Sequence, residues 1–306
     1  ELDATDPDFG DVLTWSVETN PSNGTATING TGTVPTTFTY VPDGNYSGSD
    51  SFVAQVSDGF LTDVITVSVT VTPVNDAPLI TQGAGPLTKI VAEEGTVTWT
   101  AGELNATDSD TDDNTLIWSI SSGASNGIAT VTGTGVAPTI FTYAPDGNYS
   151  GNDSFVAQVS DGFLTDVITV NVTVIPVNDA PVITQGTGPL TKTVVEDGTV
   201  IWSAGELDAT DPDLGDVLTW SVETNPSNGT ATVNGTGAAP TIFTYVPDGN
   251  YSGSDSFMAQ VSDGFLTDVI TVNVTVTPVN DAPLITQGAG PLTKVVVEEG
   301  TVTWFA

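Results

Sequence analysis

The chain has 306 residues, enough for two or three domains with buried cores, and 38% of them are hydrophobic, which excludes a disordered chain. It contains three lysines, no arginine or histidine and 38 acidic residues, for a net charge of −35. This charge excludes nucleic acid and anionic membrane surfaces as expected partners, because both would be repelled.

The residue types that are missing narrow the chemistry further. Without cysteine there is no disulfide, thiolate metal site or thiol nucleophile, and without histidine the commonest general base and zinc ligand are missing. Oxygen ligands remain, and these suit hard cations such as calcium. No apolar run approaches the roughly 20 residues of a membrane span, so none is predicted.

A long repeat organises the whole sequence. The stretches ELDATDPDFGDVLTWSV at residue 1, ELNATDSDTDDNTLIWSI at 103 and ELDATDPDLGDVLTWSV at 206 recur with periods of 102 and 103 residues. Residues 1–101 and 206–306 differ at only ten aligned positions. Such repetition indicates an array of similar domains.

Within one repeat, apolar and polar residues alternate in short runs that are separated by Gly, Asn, Asp and Pro, which predicts strands. The second copy predicts seven of them, at 79–91, 96–101, 115–120, 129–133, 139–145, 153–160 and 164–177. No helical period is present. The expected fold is therefore all-β, an antiparallel, seven-stranded Greek-key sandwich in each repeat.

Turns and aromatic residues refine this prediction. Asp161-Gly162 and Asn126-Gly127 lie between strands, where we expect turns with positive φ. The tryptophans are in phase with Val, Leu and Ile, so we expect them in the core; they are Trp15, Trp99, Trp118, Trp202, Trp220 and Trp304. The tyrosines of the three DGNYSG stretches lie off this alternation, which leaves an exposed role open for Tyr46, Tyr149 and Tyr251.

Acidic residues return to the same four places in each repeat. These are an acidic pair before a strand, a DxD loop, an aspartate before Ser-Phe, and the Asn-Asp of a recurrent PVNDAP linker at 73–78, 176–181 and 278–283. Solubilising charge alone would not be expected to recur at the same strand ends. Calcium needs six to eight oxygens, which one loop rarely supplies.

The motifs VNDAP, ATDPD, GSDSF and VSDGF at these spacings resemble the cadherin-like (VCBS/Ig-like) tandem repeats of large prokaryotic surface adhesins and surface filaments, over the whole chain. The resemblance implies tandem Ig-like/cadherin-like sandwiches in a linear array, with one or two Ca²⁺ ions at each junction. For the junction between the second and third domains it implies Glu93 or Glu94, Asp153, Asn178, Asp179, Asp211 and Asp213, with Asp216 as a further candidate. For the earlier junction it implies Asp50, Asn75, Asp76, Asp108 and Asp110, and for the later one Glu196, Asp197, Asp255, Asn280 and Asp281.

The predicted domains are 1–76, lacking its first strands, then 77–179 and 180–281, both complete, and 282–306, which holds the first strands of a further domain. Two explanations stay open for the partial domains. The sequence is a slice of a longer array, or residues 282–306 complete the open sandwich of another copy, head to tail.

The expected function is structural: a calcium-stiffened, extracellular rod in a prokaryotic surface adhesin or filament. The alternative is an array of carbohydrate-binding modules of an exported polysaccharide-active protein, using the DGNYSG loops. A glycan ligand, N- or O-glycosylation and a Lys–Asn isopeptide also stay open. We expect no enzyme, because every pair of carboxylates lies in a repeated loop with no insertion to build a cleft.

Overall fold

The structure is a computed structural model that describes residues 2–286, 288 and 290–304. The chain divides into two compact units, residues 1–177 and 178–306, and each is described by itself. Of the predicted partial domains 1–76 and 282–306, residues 1, 287, 289, 305 and 306 lie outside the described residues.

The first unit contains two repeats. The first of them has five strands: β1 (Thr14–Thr19), β2 (Gly24–Asn29), β3 (Thr37–Pro42), β4 (Gly48–Ser57) and β5 (Thr62–Val71). The second has nine strands and a 3-10 turn: β6 (Leu79–Ile80), β7 (Leu87–Ala92), β8 (Val97–Thr98), β9 (Ala106–Thr107), the turn Asp113–Thr115, β10 (Ile117–Ser122), β11 (Gly127–Thr134), β12 (Ile140–Pro145), β13 (Gly151–Ser160) and β14 (Thr165–Ile175).

The second unit repeats the same order of strands. They are β15 (Val182–Ile183), β16 (Leu190–Val195), β17 (Val200–Ile201), β18 (Ala209–Thr210), β19 (Thr219–Thr224), β20 (Gly229–Thr236), β21 (Ile242–Pro247), β22 (Gly253–Ser262) and β23 (Thr267–Thr277). The predicted all-β, Ig-like fold is confirmed.

Each nine-stranded repeat is a two-layered sandwich. The hydrogen-bonded order is β7-β14-β13-β10-β11-β12-β8, with β6 paired to β9, and the second unit has the equivalent order. Strands β10 and β11 share only two paired positions, Ile117 with Thr134 and Trp118 with Gly133. The hydrogen-bonded strand order therefore crosses from one layer of the sandwich to the other between these two strands. The described residues of the first repeat form the sheets β1-β4-β5 and β2-β3.

The structure departs from the predicted strands at the start of the repeat. Residues 79–91 were expected as one strand, but Gly83, with φ of 79°, lies in a turn that separates β6 from β7. Strand β7 then pairs with β14 in parallel, so the sandwich is not wholly antiparallel. The parallel pairing means that the first long strand and the last strand run in the same direction.

The core between the layers is aromatic. Trp99 stacks on Phe141 with ring centroids 4.1 Å apart, and Phe155 meets both rings edge to face. The core role predicted for the tryptophans is confirmed for Trp15, Trp99, Trp118, Trp202 and Trp220, which are at most 6% exposed. Trp304 is 58% exposed, so the prediction is wrong there.

Glycine is needed for different reasons at the two predicted turns, Asp161-Gly162 and Asn126-Gly127. Gly162 has φ of 102°, as expected for the Asp161-Gly162 turn. Gly127 instead begins β11 with no positive φ, and a Cβ there would lie 2.6 Å from the Ala144 carbonyl oxygen and from the Tyr143 hydroxyl. Glycine is needed at 127 for close approach and not for φ.

We therefore expect Gly127→Ala to destabilise the second repeat by about 1–3 kcal/mol, because backbone and a buried ring must move to admit the methyl group. Gly147→Ala is the matched control, since nothing lies within 4 Å of a Cβ there. Thermal unfolding followed by circular dichroism measures both. Equal melting temperatures for the two variants would contradict the close-approach explanation.

Candidate metal centre

In the first unit, the linker at 73–78 is held by acidic side chains of the following domain. Asn75 donates from Nδ2 to Asp161 Oδ2 at 2.7 Å, and the Asp76 N–H donates to Asp110 Oδ2 at 3.2 Å. The Ser109 hydroxyl donates to Asp76 Oδ2 at 3.0 Å. The structure thus brings together the predicted residues Asn75, Asp76 and Asp110.

The second unit repeats this arrangement with its own residues. Asn178 donates from Nδ2 to Asp263 Oδ2 at 2.8 Å, and the Asp179 N–H donates to Asp213 Oδ2 at 2.7 Å. The same contacts in two copies indicate that the geometry follows from the repeated sequence.

The DxD loop turns on its first aspartate. The N–H of Asp110 donates to Asp108 Oδ1 at 3.0 Å, and the N–H of Asp213 donates to Asp211 Oδ1 at 2.9 Å. This local turn uses one carboxylate oxygen of each first aspartate and directs the second inward.

That second oxygen has no partner. Asp108 Oδ2 and Asp211 Oδ2 are buried and have no hydrogen-bond partner. Among the described residues, no other buried side-chain oxygen or nitrogen lacks one. Leaving a buried carboxylate oxygen without a donor is costly, so each such atom calls for an explanation. A cation bound at this oxygen is an explanation that fits the acidic surroundings.

Further carboxylates surround Asp211. Oxygens of Asp211, Asp216 and Asp263 lie within 4.8 Å of one another, and Asp6, Asp8 and Asp11 form a similar group in the first repeat. Desolvation first, and then the charges of Asp211, Asp213 and Asp263, raise the pKa of Asp216. In the first unit the adjacent Asp108 carboxyl, followed by desolvation, raises the pKa of Asp110. The charges of neighbouring carboxylates therefore contribute to the raised pKa of both groups, beside desolvation and, at Asp110, the contact with Asp108.

The first residue of each acidic pair lies at the exit from the last strand. Glu93 is 5% exposed, and its Oε1 accepts the Val177 N–H at 2.5 Å. Glu196 in the second unit is 6% exposed and accepts the Val279 N–H at 2.6 Å. Each glutamate therefore fixes the backbone one residue before a predicted Asn-Asp pair, Asn178-Asp179 or Asn280-Asp281.

The second residue of each acidic pair has a different environment. Glu94 and Asp197 are exposed and have φ of 62° and 63°, which is the left-handed region. They form the turn after β7 and β16. A role for either as a metal ligand stays a prediction.

The aspartate before Ser-Phe accepts hydrogen bonds from residues of its own sandwich. Asp153 is 7% exposed and accepts four hydrogen bonds, from the N–H groups of Ser125, Asn126 and Ser154 and from the Tyr143 hydroxyl at 2.9 Å. Asp50 and Asp255 accept the equivalent bonds. A metal role for these three aspartates stays a prediction, but the donors they contact belong to the sandwich and not to the linker.

Two neighbours of the linker were missed by the sequence analysis. The sequence predicts only a turn role for Asp161 and assigns none to Asp263. Each Oδ1 does accept the two N–H groups of its hairpin turn. Their Oδ2 atoms, however, contact the linker asparagines. The recurrence of VSDGF in every repeat was the signal that could have placed them at the junction.

The tyrosines of the DGNYSG loops do not form an exposed platform. Tyr149 is half-buried against the core of its repeat, and its hydroxyl donates to the Asn152 carbonyl at 2.6 Å. Tyr46 and Tyr251 donate to the equivalent carbonyls. The geometry therefore gives the carbohydrate-binding alternative no support at these loops.

The oxygen donor set fits calcium. The linkers at 73–78 and 176–181 contact aspartate carboxylates, and the DxD loop beside each of them has a buried carboxylate oxygen without a partner. Calcium prefers such oxygens. An all-β chain of tandem Ig-like sandwiches with these junction loops falls in the class of modular adhesion-type proteins. No helix in the described part of the chain is long and apolar enough to cross a membrane.

Comparison with protein families agrees with this class. The model of the bacterial Ig domain matches residues 1–71 and 75–173, and that of the bacterial cadherin-like domain matches residues 178–278. The chain belongs to the bacterial Ig-domain family, and its last matched repeat is of the bacterial cadherin-like type. The predicted resemblance is confirmed. Domains of these types are typically non-enzymatic and usually extracellular, and cadherin-like domains generally bind calcium.

Solved structures with similarity to the chain include cadherin ectodomains. Extracellular cadherin domains 1-5 of protocadherin gamma B2 are 17% identical, with 88% of this chain and 53% of that chain covered and a TM-score of 0.49. The EC1-3 region of mouse protocadherin-24 is 17% identical, with 87% and 90% covered and a TM-score of 0.46. An endo-fucoidan hydrolase of glycoside hydrolase family 107 is 18% identical, with 90% and 40% covered and a TM-score of 0.32.

The chain spans about half or less of the protocadherin gamma B2 and fucoidan hydrolase structures. No inference about function rests on these likenesses. Comparison with curated proteins finds no match.

The four hydrogen bonds to Asp153 predict a stability effect. Burial alone would raise the pKa of Asp153, but the hydrogen bonds outweigh it and the pKa is lowered. We expect Asp153→Asn to cost about 3 kcal/mol at pH 7, because buried N–H donors lose a charged acceptor. Denaturant unfolding measures this cost, with Asp146→Asn in the exposed turn as control.

The same comparison has a defined pH dependence. A lowered folded-state pKa stabilises the protein above the unfolded value of about 4, and this contribution is lost as the pH falls through the folded pKa. The difference between the wild-type chain and Asp153→Asn should therefore shrink in acid. A difference that stays constant down to pH 2 would contradict the role of the ionised carboxylate.

Proposed function

We propose that the chain is a calcium-stiffened extracellular rod of tandem cadherin-like domains, part of a prokaryotic cell-surface adhesin or surface filament. The observation that supports this most directly is the pair of buried, partnerless oxygens, Asp108 Oδ2 and Asp211 Oδ2, beside the linkers. A bound calcium ion supplies the positive charge that this arrangement of carboxylates otherwise lacks.

In the first unit, Asp108, Asp110 and Asp161 would hold the ion, together with Asp76 of the linker. In the second unit, Asp211, Asp213, Asp216 and Asp263 would do so, together with Asp179. The Nδ2 atoms of Asn75 and Asn178 hold the linker against the turn aspartates, and the Oδ1 atoms of these asparagines stay predicted ligands of the ion.

The mechanism is electrostatic. The chain has 38 acidic residues against three basic ones, and several acidic residues gather at the ends of the linkers. Without a cation these charges repel one another, and the repulsion favours separating the linker from the DxD loop. With a divalent ion the same groups attract a common centre, so the linker is fixed.

The recurrence of the arrangement supports a mechanical role. A single acidic loop would suit a local binding site, whereas the same loop beside the linkers at 73–78 and 176–181 affects successive joints of the array. Rigidity at each joint gives an extended spacer, which is the property that a surface adhesin or filament needs to project a binding region away from the cell.

Calcium titration tests the site directly. We expect Asp211→Asn to lower the calcium affinity of the second unit at least about tenfold, because the partnerless oxygen loses its charge. Isothermal titration calorimetry measures the affinity, and Asp248→Asn, in an exposed turn with the same net-charge change, is the control. Affinity should also fall as the pH approaches the raised pKa of Asp216, because protons then compete with calcium. Identical isotherms for the wild-type chain and Asp211→Asn would reject the site.

Small-angle X-ray scattering tests the stiffness. With millimolar calcium we expect an extended particle of fixed dimensions, and after chelation a broader distribution of dimensions, because repulsion then acts at each linker. The Asp108→Asn, Asp211→Asn double variant should resemble the chelated chain even in calcium. Dimensions that do not respond to chelation would refute ion-linked rigidity while leaving calcium binding itself to the titration.

A further inference from the structure

A cavity lies on the outer face of the sheet that contains β7, β14 and β13 in the second repeat. Its volume is about 610 Å³, within the range of small-ligand sites in proteins, roughly 300–1,000 Å³. All three strands line it, because Asn171 of β14 is paired with Thr88 of β7 on one side and with Ser154 of β13 on the other. The next pair along β14 and β13 on this face, Thr173 with Asn152, also lines the cavity.

The polar side chains of the central row point away from the core. Thr88, Ser154 and Asn171 are exposed, whereas Val170 and Val172, on either side of Asn171 in the chain, are at most 1% exposed. Among the described residues, the hydroxyls of Thr88 and Ser154 and the amide of Asn171 have no hydrogen-bond partner. Their donors and acceptors are therefore available to a ligand.

The buried carboxylate of Asp153 fixes one wall of the cavity. This wall is the loop that contains Ser125 and Asn126, whose N–H groups donate to Asp153 at 3.1 and 2.9 Å. The Ser154 N–H and the Tyr143 hydroxyl also donate to this carboxylate. Because four hydrogen bonds hold the wall before any ligand arrives, binding costs little ordering of the protein.

The remaining groups that line the cavity carry no charge. They are the hydroxyls of serine and threonine, the amides of asparagine and the side chain of Val172. The chain as a whole has a net charge of −35, which repels anionic ligands. A cation is attracted more strongly by the carboxylates of the DxD loops. Neutral donors and acceptors in a preformed cavity fit a neutral ligand with many hydroxyl groups, which is the chemistry of a glycan.

We propose that this cavity of the second repeat binds a neutral oligosaccharide. The Asn171 amide supplies both a donor and an acceptor, and the hydroxyls of Thr88 and Ser154 lie on the two neighbouring strands. The site differs from the DGNYSG loops, where the Tyr149 hydroxyl donates within its own sandwich. It goes beyond the proposed rod, because it gives the side of a repeat a binding activity.

The third repeat has the same residue types in the same row. Thr191 and Ser256 are paired with Asn273 from its two neighbouring strands, and all three residues are exposed. One residue differs, since Ser254 stands where the second repeat has Asn152. Weak sites on successive repeats reinforce one another on a surface that carries many copies of the glycan.

The test is binding of the 306-residue chain to an array of immobilised oligosaccharides. Neutral oligosaccharides of hexoses and N-acetylhexosamines are the probes, and oligosaccharides that contain uronic or sialic acid are the acidic comparison. We expect binding to the neutral probes, with an apparent affinity at least about tenfold lower for the Asn171→Ala, Asn273→Ala double variant, because both amides are lost.

The control is the Thr169→Ala, Thr271→Ala double variant. Thr169 is exposed on the same face of β14 but does not line the cavity, and Thr271 is its counterpart in β23. This control should bind as the wild-type chain does. Melting temperatures followed by circular dichroism confirm that both double variants remain folded.

Nuclear magnetic resonance locates the bound sugar. Titration with the neutral oligosaccharide that gives the strongest array signal should shift the side-chain amide resonances of Asn171 and Asn273. The side-chain amides of Asn75 and Asn178 in the linkers should stay unchanged, because neither residue lines the cavity.

Three results would overturn the proposal. They are no binding to any neutral oligosaccharide of the array, stronger binding to the acidic ones, or equal binding by the wild-type chain and the Asn171→Ala, Asn273→Ala variant. The proposal does not rest on calcium. Oligosaccharide binding should persist in chelator, since no residue of a DxD loop lines the cavity, whereas the scattering experiment reports on stiffness alone.

Discussion

The parallel pairing of the first long strand with the last strand is the interaction on which the rest of each repeat depends. Strand β7 lies along β14 over six positions, from Leu87 beside Val170 to Ala92 beside Ile175. This pairing buries Val91 and brings Glu93 to the backbone N–H of Val177, at the point where the chain leaves the sandwich. Because both strands run in the same direction, the chain enters and leaves at opposite ends of the repeat, which suits a tandem array.

The acidic loops follow from this arrangement. A chain that leaves one sandwich at the end where the next one begins must place its linker beside the loops at the near end of the following domain. In this chain those loops are the DxD loop and the VSDGF turn, and both contact the linker through carboxylate oxygens. Like charges are thereby gathered at the joint. N–H groups of the linker and of the DxD loop donate to some of the carboxylate oxygens, whereas Asp108 Oδ2 and Asp211 Oδ2 are buried without a donor.

The same pairing explains why the first repeat differs from the others although its sequence is almost the same as that of the third. Over its ten residues, strand β5 differs from β14 and β23 only at Ser68, yet Ile65 is exposed where Ile168 and Ile270 are buried. Burial in this fold depends on the covering strand and not on the covered sequence alone.

Several features could be predicted from the sequence because they depend on local pattern. Alternation identified the longer strands, and the aromatic phase placed five tryptophans in the core. Recurrence showed that acidic residues return to the same loops, and the family resemblance implied that these loops meet at the linkers. These signals are local because a strand with one buried face repeats every two residues, and because a turn is specified by its own glycine or aspartate.

Other features were decided only by the tertiary structure. The two-residue strands β6 and β9 are too short to show alternation. The parallel direction of β7 follows from its pairing with β14, which is distant in sequence. Glycine is required at 127 because the ring of Tyr143 lies against it. The role of Asp153 as a fourfold acceptor and the contact of Asp161 with the linker arise because residues 10 to 86 positions apart meet in space. Sequence therefore determined the repeated elements and their charge, whereas packing decided which carboxylates are satisfied inside a sandwich and which are left facing a joint.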